Sequence, residues 1–125
     1  MLNAFLVGIG GFFGAISRYL VSGIMTKWLG SHFPWGTLTV NLLGSLIMGF
    51  LFGLVQKHLL VSEQSKLVLM VGFLGSFTTF SSFALDNVKL FSASSYSAGI
   101  INISVQNITG ILLVVLGVWL ASLFG

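Results

Sequence analysis

Apolar residues dominate four long stretches, and short polar interruptions separate them. The stretches run from about Leu2 to Met25, Trp35 to Gln56, Leu67 to Phe91 and Ala98 to Phe124. At ~1.5 Å of rise per residue each is long enough, as a helix, to cross ~30 Å of hydrocarbon. None alternates apolar with polar positions, as a lipid-facing strand would. The pattern predicts an all-α integral membrane protein with one four-helix transmembrane domain spanning residues 1–125.

The interruptions sharpen this reading. Lys27 to Pro34 forms a short loop flanked by Trp28 and Trp35, aromatic residues suited to the membrane–water boundary. Lys57 to Lys66 forms a second loop and holds the only Glu, Glu63. No basic residue precedes the first apolar run and Arg18 interrupts its far end, so it reads as a span rather than a cleaved leader. Within it, Gly10 and Gly14 make a small-xxx-small pair for close helix packing. No strand precedes these glycines, so they are not a dinucleotide fingerprint.

Composition agrees: 56% of the 125 residues are hydrophobic and 6% are charged, where a soluble domain carries about a quarter charged residues. There is no Cys, so disulfides and thiolate metal sites are excluded, and a net charge of +3 is too scattered for nucleic acid. The basic residues also fail to orient the chain. Four spans place Lys57 and Lys66 on one side and Lys27 and Lys89 on the other, with Arg18 inside the membrane. Orientation follows the Lys/Arg bias between sides, and here there is none. A chain without that bias can insert either way, which predicts dual topology and an antiparallel two-fold homodimer surrounded by lipid.

The third span holds the unusual chemistry. Gly72-Phe-Leu-Gly-Ser-Phe-Thr-Thr-Phe-Ser-Ser-Phe83 packs five hydroxyl residues into the seven positions from Ser76 to Ser82, between phenylalanines. A small-residue packing face explains the glycines but not the Thr-Thr and Ser-Ser pairs. Irregular backbone at membrane depth persists only when buried in protein or lining a wet cavity, so a break near the centre of this span is expected. The deep polar groups are neutral: Asn41, Thr78, Thr79, Ser81, Ser82, Asn102 and Gln106. Hydroxyls and amides offer donors to a desolvated anion. Phe80 and Phe83 share a helix face and can turn the positive edges of their rings toward one, although such pairs are more often simple packing. Asn102, Gln106 and Thr109 share a face of the fourth span by their spacing. The triplets beginning at Asn102 and Asn107 resemble glycosylation acceptors but lie inside an apolar run.

Two ionisable groups interrupt the spans. Arg18 is either a functional cation or a side chain snorkelling to the headgroups. Asp86 is either functional or an interfacial carboxylate beside Lys89, three residues on. No catalytic triad, metal-ligand cluster or phosphate loop appears, so an enzyme is not expected.

These residues resemble a known family. Gly72-x-x-Gly75-Ser-Phe-Thr78-Thr79-Phe80-Ser81-Ser82-Phe83, Asn41 within Val40-Asn-Leu-Leu-Gly44, and Gly10-x-x-x-Gly14-x-x-x-Arg18 are similar to the Fluc (CrcB-like) fluoride channels over essentially the whole chain. The resemblance implies passive, electrogenic export of F⁻ across a bacterial inner membrane through two pores of an antiparallel homodimer. It further implies that Phe80 and Phe83 contact fluoride edge-on, that Asn41, Ser81 and Thr79 line the pore, and that Arg18 and Asp86 face the vestibule. The backbone carbonyls of Gly75 and Thr78, from both subunits, would hold a structural Na⁺ at the dimer interface. Asp86 stands where Glu is the family's expected acid, and the fourth span carries Asn102, Gln106 and Thr109 in place of a serine face, so no role carries over to it. A structural or assembly subunit without transport would leave the Phe/Thr/Ser cluster unexplained, and the runner-up is a proton-coupled drug transporter of the small multidrug resistance type. That class needs a membrane-embedded Glu in the first span, where this chain has Arg18 and no acid.

Overall fold

The computed structural model describes residues 1–125. It contains only helices: α1 (Leu2–Leu29), α2 (Trp35–Gln56), α3 (Glu63–Lys66), a π-helix (Leu67–Leu74), α4 (Gly75–Phe77), α5 (Phe80–Ser92) and α6 (Tyr96–Ser122). Four helical segments are long and apolar enough to cross a membrane, with Glu63–Ser92 as the composite third. α1 runs four residues beyond the expected Met25. Thr26 donates its hydroxyl to the Ser22 carbonyl at 2.9 Å, and the helix stops at Gly30, whose φ of 88° ordinary residues avoid. The third span likewise starts earlier than Leu67, because the Ser62 hydroxyl caps Ser65 N–H at the head of α3.

Glycine decides which helices meet. Gly10 and Gly14 of α1 lie so close to Val68 and Phe73 that any side chain there would strike the π-helix backbone, and Gly72 returns the contact to Val7 and Gly10. On the other side, Gly49 and Gly53 of α2 meet Val114, Val118 and Ala121 of α6, while Gly117 abuts Leu46 and Phe50. Small residues allow this approach where lipid offers helices no hydrophobic incentive to associate. The first span is therefore joined to the third, and the second to the fourth.

The buried core is small: Val40, Leu74 and Phe77 form its centre. Most large apolar side chains, including Phe5, Phe12, Ile108 and Ile111, face outward, as a helix bundle in a bilayer requires. Lys57, just past α2, donates to the carbonyls of Ser122 at 2.8 Å and Phe124 at 3.1 Å. This caps the free carbonyl end of α6 with a cation. It also places the second loop and the C-terminus on one side of the membrane.

Candidate functional site

The third span breaks at its middle. Thr78 (φ −86°, ψ 156°) and Thr79 (φ −150°, ψ 115°) are both extended, between the end of α4 and the start of α5. Two side chains take over the lost helical bonds. An unbroken helix would bring Thr79 N–H to the Gly75 carbonyl; here it donates to Asn41 Oδ1 at 2.8 Å. Ser82 N–H would bond the Thr78 carbonyl, but it donates to Thr79 Oγ1 at 3.2 Å, which makes Thr79 the N-cap of α5. Asn41 completes its clasp by donating from Nδ2 to the Thr79 carbonyl at 3.1 Å. The same side chain thus serves both backbone groups of one residue.

The consequence for Gly75 and Thr78 is chemical. Their carbonyls have lost their helical donors, and no other hydrogen bond reaches the Thr78 carbonyl. A hard cation prefers such oxygen ligands. Gly75 is exposed, and a Cβ added there would meet nothing closer than Met70 O at 3.9 Å, so this face is open to a second molecule. The donor set fits Na⁺ in kind, but one chain supplies too few oxygens to enclose it.

Around the break lie two cavities. One, of about 320 Å³, is lined by Asn41, Thr79, Phe80, Phe83, Gln106 and Asn107 among others. The Phe80 and Phe83 rings sit 5.7 Å apart, tilted by 46°, and Phe80 is 80% exposed. Apart from its contact with Phe83, that ring is largely uncovered in its own chain. The other cavity, about 930 Å³, holds Arg18, Lys27, Lys89, Asp86, Thr37 and Ser82. Thr79 lines both, so the break is the wall they share. Ser81 is exposed at the start of α5, with its Oγ 3.4 Å from Thr79 Oγ1.

Asp86 does not pair with Lys89; the single ion pair of the chain is Glu63–Lys66 at 2.7 Å. Asp86 Oδ2 is buried without a hydrogen-bond partner in the larger recess. The recess therefore carries three cations and one carboxylate, a positive field for any anion that enters. Arg18 is half-buried within it, three turns from the end of α1 rather than at a helix end.

The sequence puts Asn102, Gln106 and Thr109 on one face without a role, and gives no sign of Asn87. The structure joins three of these four to the break. Asn41 Nδ2 donates to Gln106 Oε1 at 2.7 Å, Gln106 Nε2 to Asn102 Oδ1 at 2.9 Å, and Asn102 Nδ2 to Asn87 Oδ1 at 2.8 Å. Thr109 stays outside this chain of amides. Asn102 is fully buried, and the i, i+4 spacing of two amides on α6 is the signal that could have found the link. Asn107 turns back on its own helix, donating to the Ile103 carbonyl at 2.7 Å.

Residues 5–118 match the family model described as "CrcB-like protein, Camphor Resistance (CrcB)". The chain is 45% identical over 119 residues to a protein of Magnetococcus marinus named Fluoride-specific ion channel FluC, covering 95% of this chain and 94% of that one. Proteins of the same name from Nitratidesulfovibrio vulgaris (38% over 118 residues, 94% and 95% covered) and Clostridium perfringens (40% over 121 residues, 97% and 94% covered) are also similar.

Proposed function

The chain belongs to the CrcB-like family, and on that premise we propose that it is a fluoride-selective channel that lets F⁻ leave the cytoplasm passively. It is a multi-pass membrane protein and, like its named relatives, an ion channel rather than an enzyme. The need for such a channel is physical. Undissociated HF crosses lipid as a neutral acid and ionises inside, where the resulting charge cannot recross hydrocarbon unaided.

The observation that carries the reading is the clasped break. Asn41 holds the Thr78–Thr79 joint open at the wall between a cationic recess and a Phe-lined pocket. Fluoride gathers in the recess beside Arg18, with Asp86 and Lys89 setting the local field. It passes Thr79 and Ser81, whose hydroxyls donate to it, and then the edges of Phe80 and Phe83. Asn41 keeps the backbone from closing the path. Fixed donors replace the hydration shell of a small anion better than that of a large one, which sets selectivity against chloride.

The pore is completed by a second copy. An 80% exposed Phe80 and an open Gly75 face support an antiparallel homodimer with two pores, a geometry that balanced Lys placement permits. In that dimer the Gly75 and Thr78 carbonyls of both subunits would hold one Na⁺, which supplies positive charge and ties the two breaks together. The bacterial inner membrane is the corresponding location.

The test is ion efflux from liposomes bearing the purified protein, with valinomycin and K⁺ to relieve charge build-up. Rapid fluoride release with chloride retained is expected. Retention of both ions by a folded protein in Na⁺ buffer would overturn the reading, and drug-stimulated proton flux would replace it with the transporter alternative.

A further inference from the structure

The amide chain from Asn41 to Asn87 has a direction, and the broken backbone imposes it. Thr79 N–H can only donate and Thr79 C=O can only accept, so Asn41 must present Oδ1 to one and Nδ2 to the other. Its Nδ2 then also meets Gln106, which must answer with Oε1. Gln106 is left with Nε2 toward Asn102, which answers with Oδ1, and Asn102 gives Nδ2 to Asn87 Oδ1. Turning over Gln106 or Asn102 would set donor against donor and acceptor against acceptor, and turning over Asn87 would set donor against donor, in places where a group left unpaired carries its desolvation penalty.

The balance of donors and acceptors gives this direction a chemical meaning. All four amide oxygens in the chain are engaged as acceptors. The unused capacity is N–H: one on Gln106, one on Asn102 and two on Asn87, since each amide nitrogen carries two protons. Gln106 lines the Phe80–Phe83 pocket, so its orientation decides whether an ion there meets a donor edge or a repelling oxygen.

We infer that Asn102 and Asn87 are positioning residues for ion passage: in series, they hold the Gln106 amide in the orientation that the helix break dictates. Neither lines the pocket; both act through Gln106. The inference rests on the fluoride-channel reading for its functional consequence, but the restraint on Gln106 stands on geometry alone. A serial restraint also differs from two independent structural contacts. Cutting the link at Asn102 leaves Gln106 Nε2 without its acceptor and makes Asn87 irrelevant to it. Cutting at Asn87 only loosens Asn102.

The experiment compares Asn102→Leu, Asn87→Leu and the double variant of the full chain. Fluoride efflux is measured from liposomes, and the Gln106 side-chain amide is followed by NMR in detergent micelles. Asn102→Leu should lower fluoride flux by about tenfold and Asn87→Leu by about threefold, the residue bonded directly to Gln106 having the larger effect. The double variant should match Asn102→Leu. The Gln106 amide resonances should shift toward those of a freely rotating amide in Asn102→Leu and in the double variant. Thermal stability should not follow this order, because replacing both partners of a buried hydrogen bond by apolar groups restores much of what one replacement loses.

Multiplying effects in the double variant, or an unchanged Gln106 resonance in Asn102→Leu, would overturn the inference. If Asn102→Leu fails to fold, Asn87→Leu alone decides: a shifted Gln106 resonance supports the series and an unshifted one refutes it. A wild-type protein silent for fluoride would defeat the channel reading, while the NMR comparison would still pass or fail the restraint.

Discussion

The two halves of the third span, Leu67–Phe77 and Phe80–Ser92, lie on either side of one joint and are built on opposite principles. The first half is pressed against α1 so closely that Gly10, Gly14 and Gly72 leave no space for a methyl group, and Leu74 and Phe77 fill the core. The second half touches its neighbours sparingly. It buries Asn87 and Leu90 but leaves Phe80, Ser81, Leu85 and Val88 uncovered. One half commits its surface to close packing. The other leaves Phe80 and Ser81 uncovered at its start. One span therefore holds a closely packed half and a sparsely packed half, and the two extended threonines between them let each adopt its own register.

That contrast can be broken at the closely packed half with the largest effect. Gly72→Val would drive a side chain into Val7 and Gly11 backbone, where nothing flexible can yield. Loss of a monodisperse peak on size-exclusion chromatography is expected. Gly8→Val, which meets nothing within 4 Å, should run as wild type. Recovery of a folded, conducting Gly72→Val protein would show that this close packing does not matter.

On the sparsely packed half the expected effect is smaller for the fold and complete for transport. Phe83→Ile and Phe80→Ile should each bring fluoride flux to background while the protein elutes unchanged, because both rings lie outside the buried core. Unaltered flux in both variants would remove the aromatic contact from the mechanism.

The joint itself gives the smallest change. Thr79→Ala removes the oxygen that caps Ser82 N–H and should destabilise the protein by ~1 kcal/mol, whereas Thr79→Ser retains the cap and should melt near wild type. Equal melting temperatures for Ala and Ser would show that α5 does not depend on this cap.

Hydropathy alone makes the four spans legible, since apolar runs this long exceed what the core of a small soluble domain can bury. The break is legible as well, because five hydroxyls among phenylalanines serve no lipid-facing helix. The π-helical winding of Leu67–Leu74 is not. Leu, Val and Met there carry no mark of a wider turn, and the segment is packed against α1 through Gly10, Gly14 and Gly72. Asn87 is invisible for a similar reason. A single amide beside Asp86 carries no periodic signal, and its partner lies 15 residues away on another helix. Helix ends escape the pattern where, as at Thr26 and Lys27, polar residues carry the helix past the expected boundary to Leu29.

The alternation of the glycine seams, first span with third and second with fourth, has a consequence for how the protein is made. Each seam joins helices with another helix between them in sequence, and Gly49 awaits Val114, far downstream. The first two helices can pack Gly36 against Ser22 as they leave the ribosome, but the glycine seam of each needs a helix made later. The first meets its glycine partner only when the third span follows, and the second only when α6 follows, at whose end Lys57 reaches the Ser122 and Phe124 carbonyls. Full packing of the bundle therefore comes late, and a chain cut short before α6 would leave the Gly49 and Gly53 face of α2 without its partner.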